Sequence, residues 1–161
     1  MAPSSKGVPD NSSPVIPRLF CSDPDSAVDY YVEVLGAEDL GRRPGADGRT
    51  AHALLQLSGG MIMVEAEWPG VPSRAPNPDG SSSVVVFVYV NDVDAIVTRA
   101  RARGAGILLE PANQFWGDRT AWIVDPFGHV WTIASRVEET TEGQRQDRWS
   151  EIVSGQQRSG R

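Results

Sequence analysis

Two stretches decide how this chain is read. They are Ser22-Asp23-Pro24-Asp25-Ser26-Ala27-Val28-Asp29-Tyr30-Tyr31-Val32-Glu33-Val34-Leu35-Gly36-Ala37 and Asn91-Asp92-Val93-Asp94-Ala95-Ile96-Val97-Thr98-Arg99-Ala100-Arg101-Ala102-Arg103-Gly104-Ala105. Each opens with short side-chain oxygens that cap free helical N–H groups, and with carboxylates where the helix dipole is positive. Apolar residues then recur at helical spacing: Ala27, Val28, Tyr31, Val34 and Leu35 in the first, Val93, Ile96, Val97 and Ala100 in the second. A Gly-Ala pair follows both, glycine being the residue that ends a helix without strain. The same helix is written twice.

Working outward, each helix has the same neighbours. Ahead of the first, Val15-Ile16-Pro17-Arg18-Leu19-Phe20-Cys21 reads as a strand; ahead of the second, residues 83–90 do. After the first helix, strands are expected over residues 37–42, 50–57 and 61–65, and after the second over 107–110, 120–124 and 130–134. The turn Ser58-Gly59-Gly60-Met61 answers Phe127-Gly128-His129-Val130. The fold expected is therefore α+β, two tandem βαβββ modules. Each alone would leave an apolar face bare, so the two must pair. The boundaries predicted are a disordered leader over 1–13, modules over 14–66 and 83–136, a Pro/Gly/Ser-rich linker over 67–82, and a polar C-terminal tail or short helix over 137–161. In that last segment Arg148-Trp149-Ser150-Glu151-Ile152-Val153 reads as an amphipathic turn.

Composition narrows the function classes. The chain has 161 residues and a formal net charge of −6. The ends are balanced, so the whole excess lies in residues 14–135, where fifteen acidic groups face nine basic ones. An acidic body repels nucleic-acid phosphate and favours cationic ligands, although mild acidity also serves plain solubility. A single cysteine, Cys21, excludes an intrachain disulfide and suits a reducing compartment. The longest apolar run, Val84 to Val90, is far short of the ~20 residues that span a bilayer. With no apolar segment near Met1, no signal peptide is expected, and the location expected is cytoplasmic.

The pattern Asp25-Ser26-Ala27-Val28-Asp29-Tyr30-Tyr31 with Val34-Leu35-Gly36-Ala37, in a tandem βαβββ chain, resembles the vicinal oxygen chelate superfamily, the glyoxalase/bleomycin-resistance fold. Gln114-Phe115-Trp116-Gly117-Asp118-Arg119 and Asp125-Pro126-Phe127-Gly128-His129-Val130-Trp131 are similar to its PhnB-like branch. The resemblance covers residues 14–136. It implies modules paired around a U-shaped cleft, usually in a homodimer. Its members are either metal-dependent enzymes (lyases, isomerases, dioxygenases) or metal-free proteins that sequester drugs.

In the metal-dependent members, His or Gln comes from the first strand of each module and Glu from the last. Here the first-strand positions, around 16–18 and 85–87, hold no His, Gln or carboxylate, and the second module's Glu position falls on Thr132. Glu65 alone stands where a ligand would, and a catalytic metal needs about three. No metal or other cofactor is therefore expected. Glu65 reads as an acid/base or cation anchor in the cleft, or as a solvated strand-end carboxylate. His52 is a cleft-wall residue or a hydrogen-bonded strand histidine, His129 part of a turn, and Cys21 a small buried hydrophobe.

Aromatic residues gather late: Phe115, Trp116, Trp122 and Trp131. Trp131 reads as core. Trp116 and Trp122 are candidate stacking surfaces, with Arg119 as a polar contact, and Met61 and Met63 share a strand face with Glu65. The ligand-binding set expected is Trp116, Trp122, Arg119, Glu65, His52 and Met63. The function expected is metal-free binding of a small cationic or planar molecule, a drug or natural product, by a homodimer. The alternative is a metal-dependent lyase, isomerase or dioxygenase of the same fold, with Glu65 as the catalytic candidate.

Overall fold

Alternation of buried and exposed residues builds two separate sheets, each backed by one helix. The computed structural model describes residues 7–77 and 82–159. The first module is β1 (Arg18–Phe20), α1 (Pro24–Leu35), β2 (Glu38–Pro44), β3 (Thr50–Leu57) and β4 (Gly60–Glu65). The second is β5 (Val85–Tyr89), α2 (Val93–Ala102), β6 (Gly106–Asn113), β7 (Asp118–Val124) and β8 (Val130–Arg136), followed by α3 (Glu142–Ser159). The sheets have the same order, β1-β4-β3-β2 and β5-β8-β7-β6, with the first and last strands of each module parallel. The α+β tandem fold is as expected.

The repeat extends to the caps. Asp23 accepts from the Ser26 N–H at 3.3 Å, and Asp92 accepts from the Ala95 N–H at 3.0 Å. Gly36, with φ of 72°, takes the left-handed conformation that closes α1, and Gly104 is likewise left-handed after α2. Apolar residues of both helices and of the helix-facing sides of both sheets form one continuous core, from Leu19 and Val28 through Leu55 and Ile96 to Ile133.

A carboxylate stitches the modules together inside that core. Tyr31 of α1 donates to Asp125 Oδ2 at 2.7 Å, and the Trp131 indole N–H donates to the same oxygen at 2.8 Å. Asp125 Oδ1 accepts the Phe127 and His129 N–H groups, both at 2.9 Å, which folds the turn before β8. Every lone-pair direction of a buried anion is thus used.

Several boundaries differ from expectation. β1 is only three residues long, because Pro14 and Pro17 have no N–H to give a ladder; Pro17 contributes its carbonyl to Met63 N at 2.9 Å. β2, β6, β7 and β8 are longer than the sequence suggested. Irregular registers interrupt β2 and β6, which breaks the alternation by which a strand is read. The C-terminal segment is neither a tail nor a short helix but the 18-residue α3. Its start is a capping box: Thr141 Oγ1 accepts from Gln144 N at 3.2 Å, and Gln144 Oε1 accepts from Thr141 N at 2.8 Å. Of the expected leader, residues 1–6 lie outside the described residues, as do 78–81 of the linker and 160–161 at the C-terminus. Among the described residues no helix is long and apolar enough to cross a membrane.

Candidate functional site

Each sheet has one face on its helix and one face open. In the first sheet Ala53, Leu55, Ile62 and Val64 enter the core. The period of two then turns His52, Met63 and Glu65 to the open side. Strand register sets them in rows: Arg43 pairs with His52, His52 with Glu65, and Glu65 with Phe20, while Arg18 pairs with Met63. A hollow of about 540 Å³ opens over these rows, lined by Arg18, Arg43, Pro44, Ala51, His52, Met63, Glu65 and Trp68.

Glu65 is the centre of the wall. Its side chain is 1% exposed. The His52 Nδ1 lies 2.7 Å from Oε1, and the Arg18 Nε donates to the same oxygen at 3.3 Å, with Nη2 3.2 Å away. A carboxylate oxygen only accepts, so the proton sits on His52 Nδ1. Neutralising partners are what allow an anion to stay buried. Arg18 in turn lies over the Phe20 ring, 5.8 Å from its centroid. Three of the expected residues, Glu65, His52 and Met63, therefore meet at one place.

The other three are elsewhere. Trp122 is on the open face of the second sheet, 38% exposed, paired with the exposed Leu109 of β6 on one side and with Thr132 of β8 on the other, beyond which lie the exposed Val85, Phe87 and Tyr89 of β5. Trp116 is in the turn before β7, its indole N–H donating to Asp118 Oδ2 at 2.7 Å; Tyr89 donates to the same oxygen at 2.8 Å. Arg119 faces the helix side, where Nε and Nη2 bind Asp94 of α2 at 2.6 and 2.8 Å. Trp131 is core. His129 Nε2 lies 2.9 Å from the Phe20 carbonyl oxygen and 3.6 Å from Cys21 Sγ.

Arg18, Arg43 and Trp68 were not anticipated as site residues. Arg18 carried a signal, being the only charge in an apolar strand; Trp68 lies in an aperiodic Pro/Gly-rich connection. A hollow of similar size, about 560 Å³, lies between the end of α1 and the start of α2. None of the residues with a buried unmatched polar side-chain atom among the described residues lines it, whereas Glu65, whose Oε2 is such an atom, lines the first hollow.

Residues 15–133 match the model of the Glyoxalase/Bleomycin resistance protein/Dioxygenase superfamily. The chain belongs to that superfamily. Among relatives of this glyoxalase-superfamily chain is an uncharacterised protein of Mycobacterium tuberculosis, 39% identical over 126 residues, covering 76% of this chain and 74% of the relative. Among solved structures, TioX from Micromonospora sp. ML1 is 35% identical, covering 78% of this chain and all of TioX, with a TM-score of 0.62. TnmS3, an antibiotic binding protein from Streptomyces sp. CB03234, is 27% identical over 75% of this chain and 93% of its own, with a TM-score of 0.56.

The superfamily's enzymes imply a divalent metal, and the residues here do not fit one. The open-face positions of the first strands hold Arg18 and Phe87, and β8 presents Thr132. Glu65 and His52 provide two donors, and the Arg18 guanidinium brings a fixed positive charge to 3.2 Å from the carboxylate a dication would need. Among the described residues no three His, Cys, Asp or Glu side chains come together in such an arrangement.

Proposed function

We propose that this protein binds and holds a small planar organic molecule without transforming it, and that the hollow beside Glu65 is its site. The observation that carries the reading is the make-up of that wall. Pro44, Ala51, Met63 and Trp68 give apolar and stacking surface, and charge is confined to the Arg18–Glu65–His52 cluster and Arg43. A few placed polar groups in an apolar concavity is the usual design of a ligand pocket. Sequestration of a drug or natural product is supported by the likeness to TnmS3. Segments 114–119 and 125–131 support a PhnB-like affiliation within the superfamily.

Local charge revises the ligand expected from the acidic body. Two guanidinium groups and one carboxylate line the hollow, which favours a neutral or anionic planar molecule over a cation. Trp122 on the second sheet's open face, with Trp116 in the turn beside it, becomes a second wall if that face closes over the hollow of a partner copy in a homodimer. The buried thiol of Cys21 suits a reducing interior, the cytoplasm.

The test is a titration of the protein with flavonoids, coumarins and acridines, read by tryptophan fluorescence. Trp68→Ala should weaken binding of any hit by ~1–2 kcal/mol, the worth of one aromatic contact. Unchanged affinity in that variant places the ligand elsewhere.

A further inference from the structure

Both donors on Glu65 go to one oxygen. His52 and Arg18 meet Oε1, and Oε2 has no hydrogen-bond partner although the side chain is buried. An unmatched buried carboxylate oxygen forfeits its hydration with nothing in return. Two other buried side-chain atoms are unmatched among the described residues, and each differs. Asp118 Oδ1 has the Arg136 Nε as a charge partner at 2.9 Å, and the Tyr30 ring stands edge-on against Tyr31 and Phe127. Only Glu65 belongs to the wall of the hollow assigned above. In the same row of the sheet, beyond His52, the Arg43 side chain forms no hydrogen bond or ion pair with any described residue, and Arg18 has donors to spare beyond those at Glu65.

We infer that the ligand itself supplies the missing donor: a neutral planar molecule with an N–H or O–H for Glu65 Oε2 beside a carbonyl oxygen for the guanidinium groups, the edge of a primary carboxamide or a lactam. This rests on the hollow being the ligand site. A cation would meet Arg18 and Arg43; an anion would lack the donor. Trp68, Met63 and Pro44 supply the apolar lining that a planar body would contact. The acceptor comes from this chain, the donor from its guest.

Three simple probes separate the alternatives: benzamide, with donor and carbonyl; N,N-dimethylbenzamide, with carbonyl alone; and benzoate, an anion with no donor. Each is titrated into protein labelled with 13C at the methionine methyls, and the Met63 signal reports on the hollow. Benzamide should shift Met63 and bind about tenfold tighter than its dimethyl analogue, the effect of one hydrogen bond to a charged group. Glu65→Gln replaces one acceptor oxygen with an amide and should abolish that preference; the dispersion of its amide spectrum reports whether it folds. Equal affinity for the two amides, tighter binding of benzoate, or a preference that survives in folded Glu65→Gln overturns the inference and leaves the hollow as the site. No movement of Met63 with any probe overturns both.

Discussion

Cys21 is silent chemically and audible thermodynamically. It is 1% exposed, and burial, reinforced by the nearby Asp125 charge, pushes its thiol up to about 12. A thiol that stays protonated when folded but ionises near pH ~8.5 when unfolded stabilises the fold below that pH, and the stability is lost as pH rises toward 12. The urea midpoint should therefore fall above pH ~8.5, by up to about 1.4 kcal/mol of stability per pH unit from this group. Cys21→Ala should flatten the slope, and iodoacetamide should label the folded protein only after denaturant is added. Residues of the candidate site were legible to the same degree that strand alternation is. His52, Met63 and Glu65 share one face by a period of two. Arg18, Arg43 and Trp68 were not, because alternation names a face but not which strands adjoin, and Trp68 follows no period at all.

At the scale of elements, the turn between β7 and β8 bears on stability more than its length suggests. Asp125→Ala would leave the Tyr31 hydroxyl and the Trp131 N–H buried without an acceptor, and the Phe127 and His129 N–H groups bare. The expected loss is roughly 3–5 kcal/mol by chemical denaturation, with Asp125→Asn intermediate because the amide oxygen still accepts. A loss below ~1 kcal/mol would mean that the turn is held by its backbone alone. Helices were legible from caps and spacing, and the strands that kept strict alternation were placed within a residue or two. β2 and β6 were underestimated where register shifts hide the pattern. α3 was underestimated because its signal is the Thr141–Gln144 box, not an apolar stripe.

For the whole molecule, the open face of the second sheet is the feature that calls for a partner. Val85, Phe87, Tyr89, Leu109 and Trp122 are all more than a third exposed, a grouping uncommon on a free surface. Sedimentation should give a mass near twice the 17.4 kDa of one chain, and Phe87→Asp should return it to one. A wild-type monomer would remove the second wall proposed for the ligand. The duplication and its fold were readable because helix, turn and strand cues recur in the same order. How the halves share one interior was not, since the Tyr31–Asp125 contact joins residues far apart in a sequence whose two modules each look self-contained. Overall acidity does not describe the hollow, for a related reason: net charge sums over the surface, and Arg18 and Arg43 line the hollow locally.

That shared carboxylate also bears on what cutting the chain would do. The Pro- and Ser-rich connection is a single covalent thread between halves whose common interior already holds them. Nicked there, the protein should be severed yet not separated. Expressed as two pieces, each would carry half of a buried lock, and the pieces would find each other by completing it.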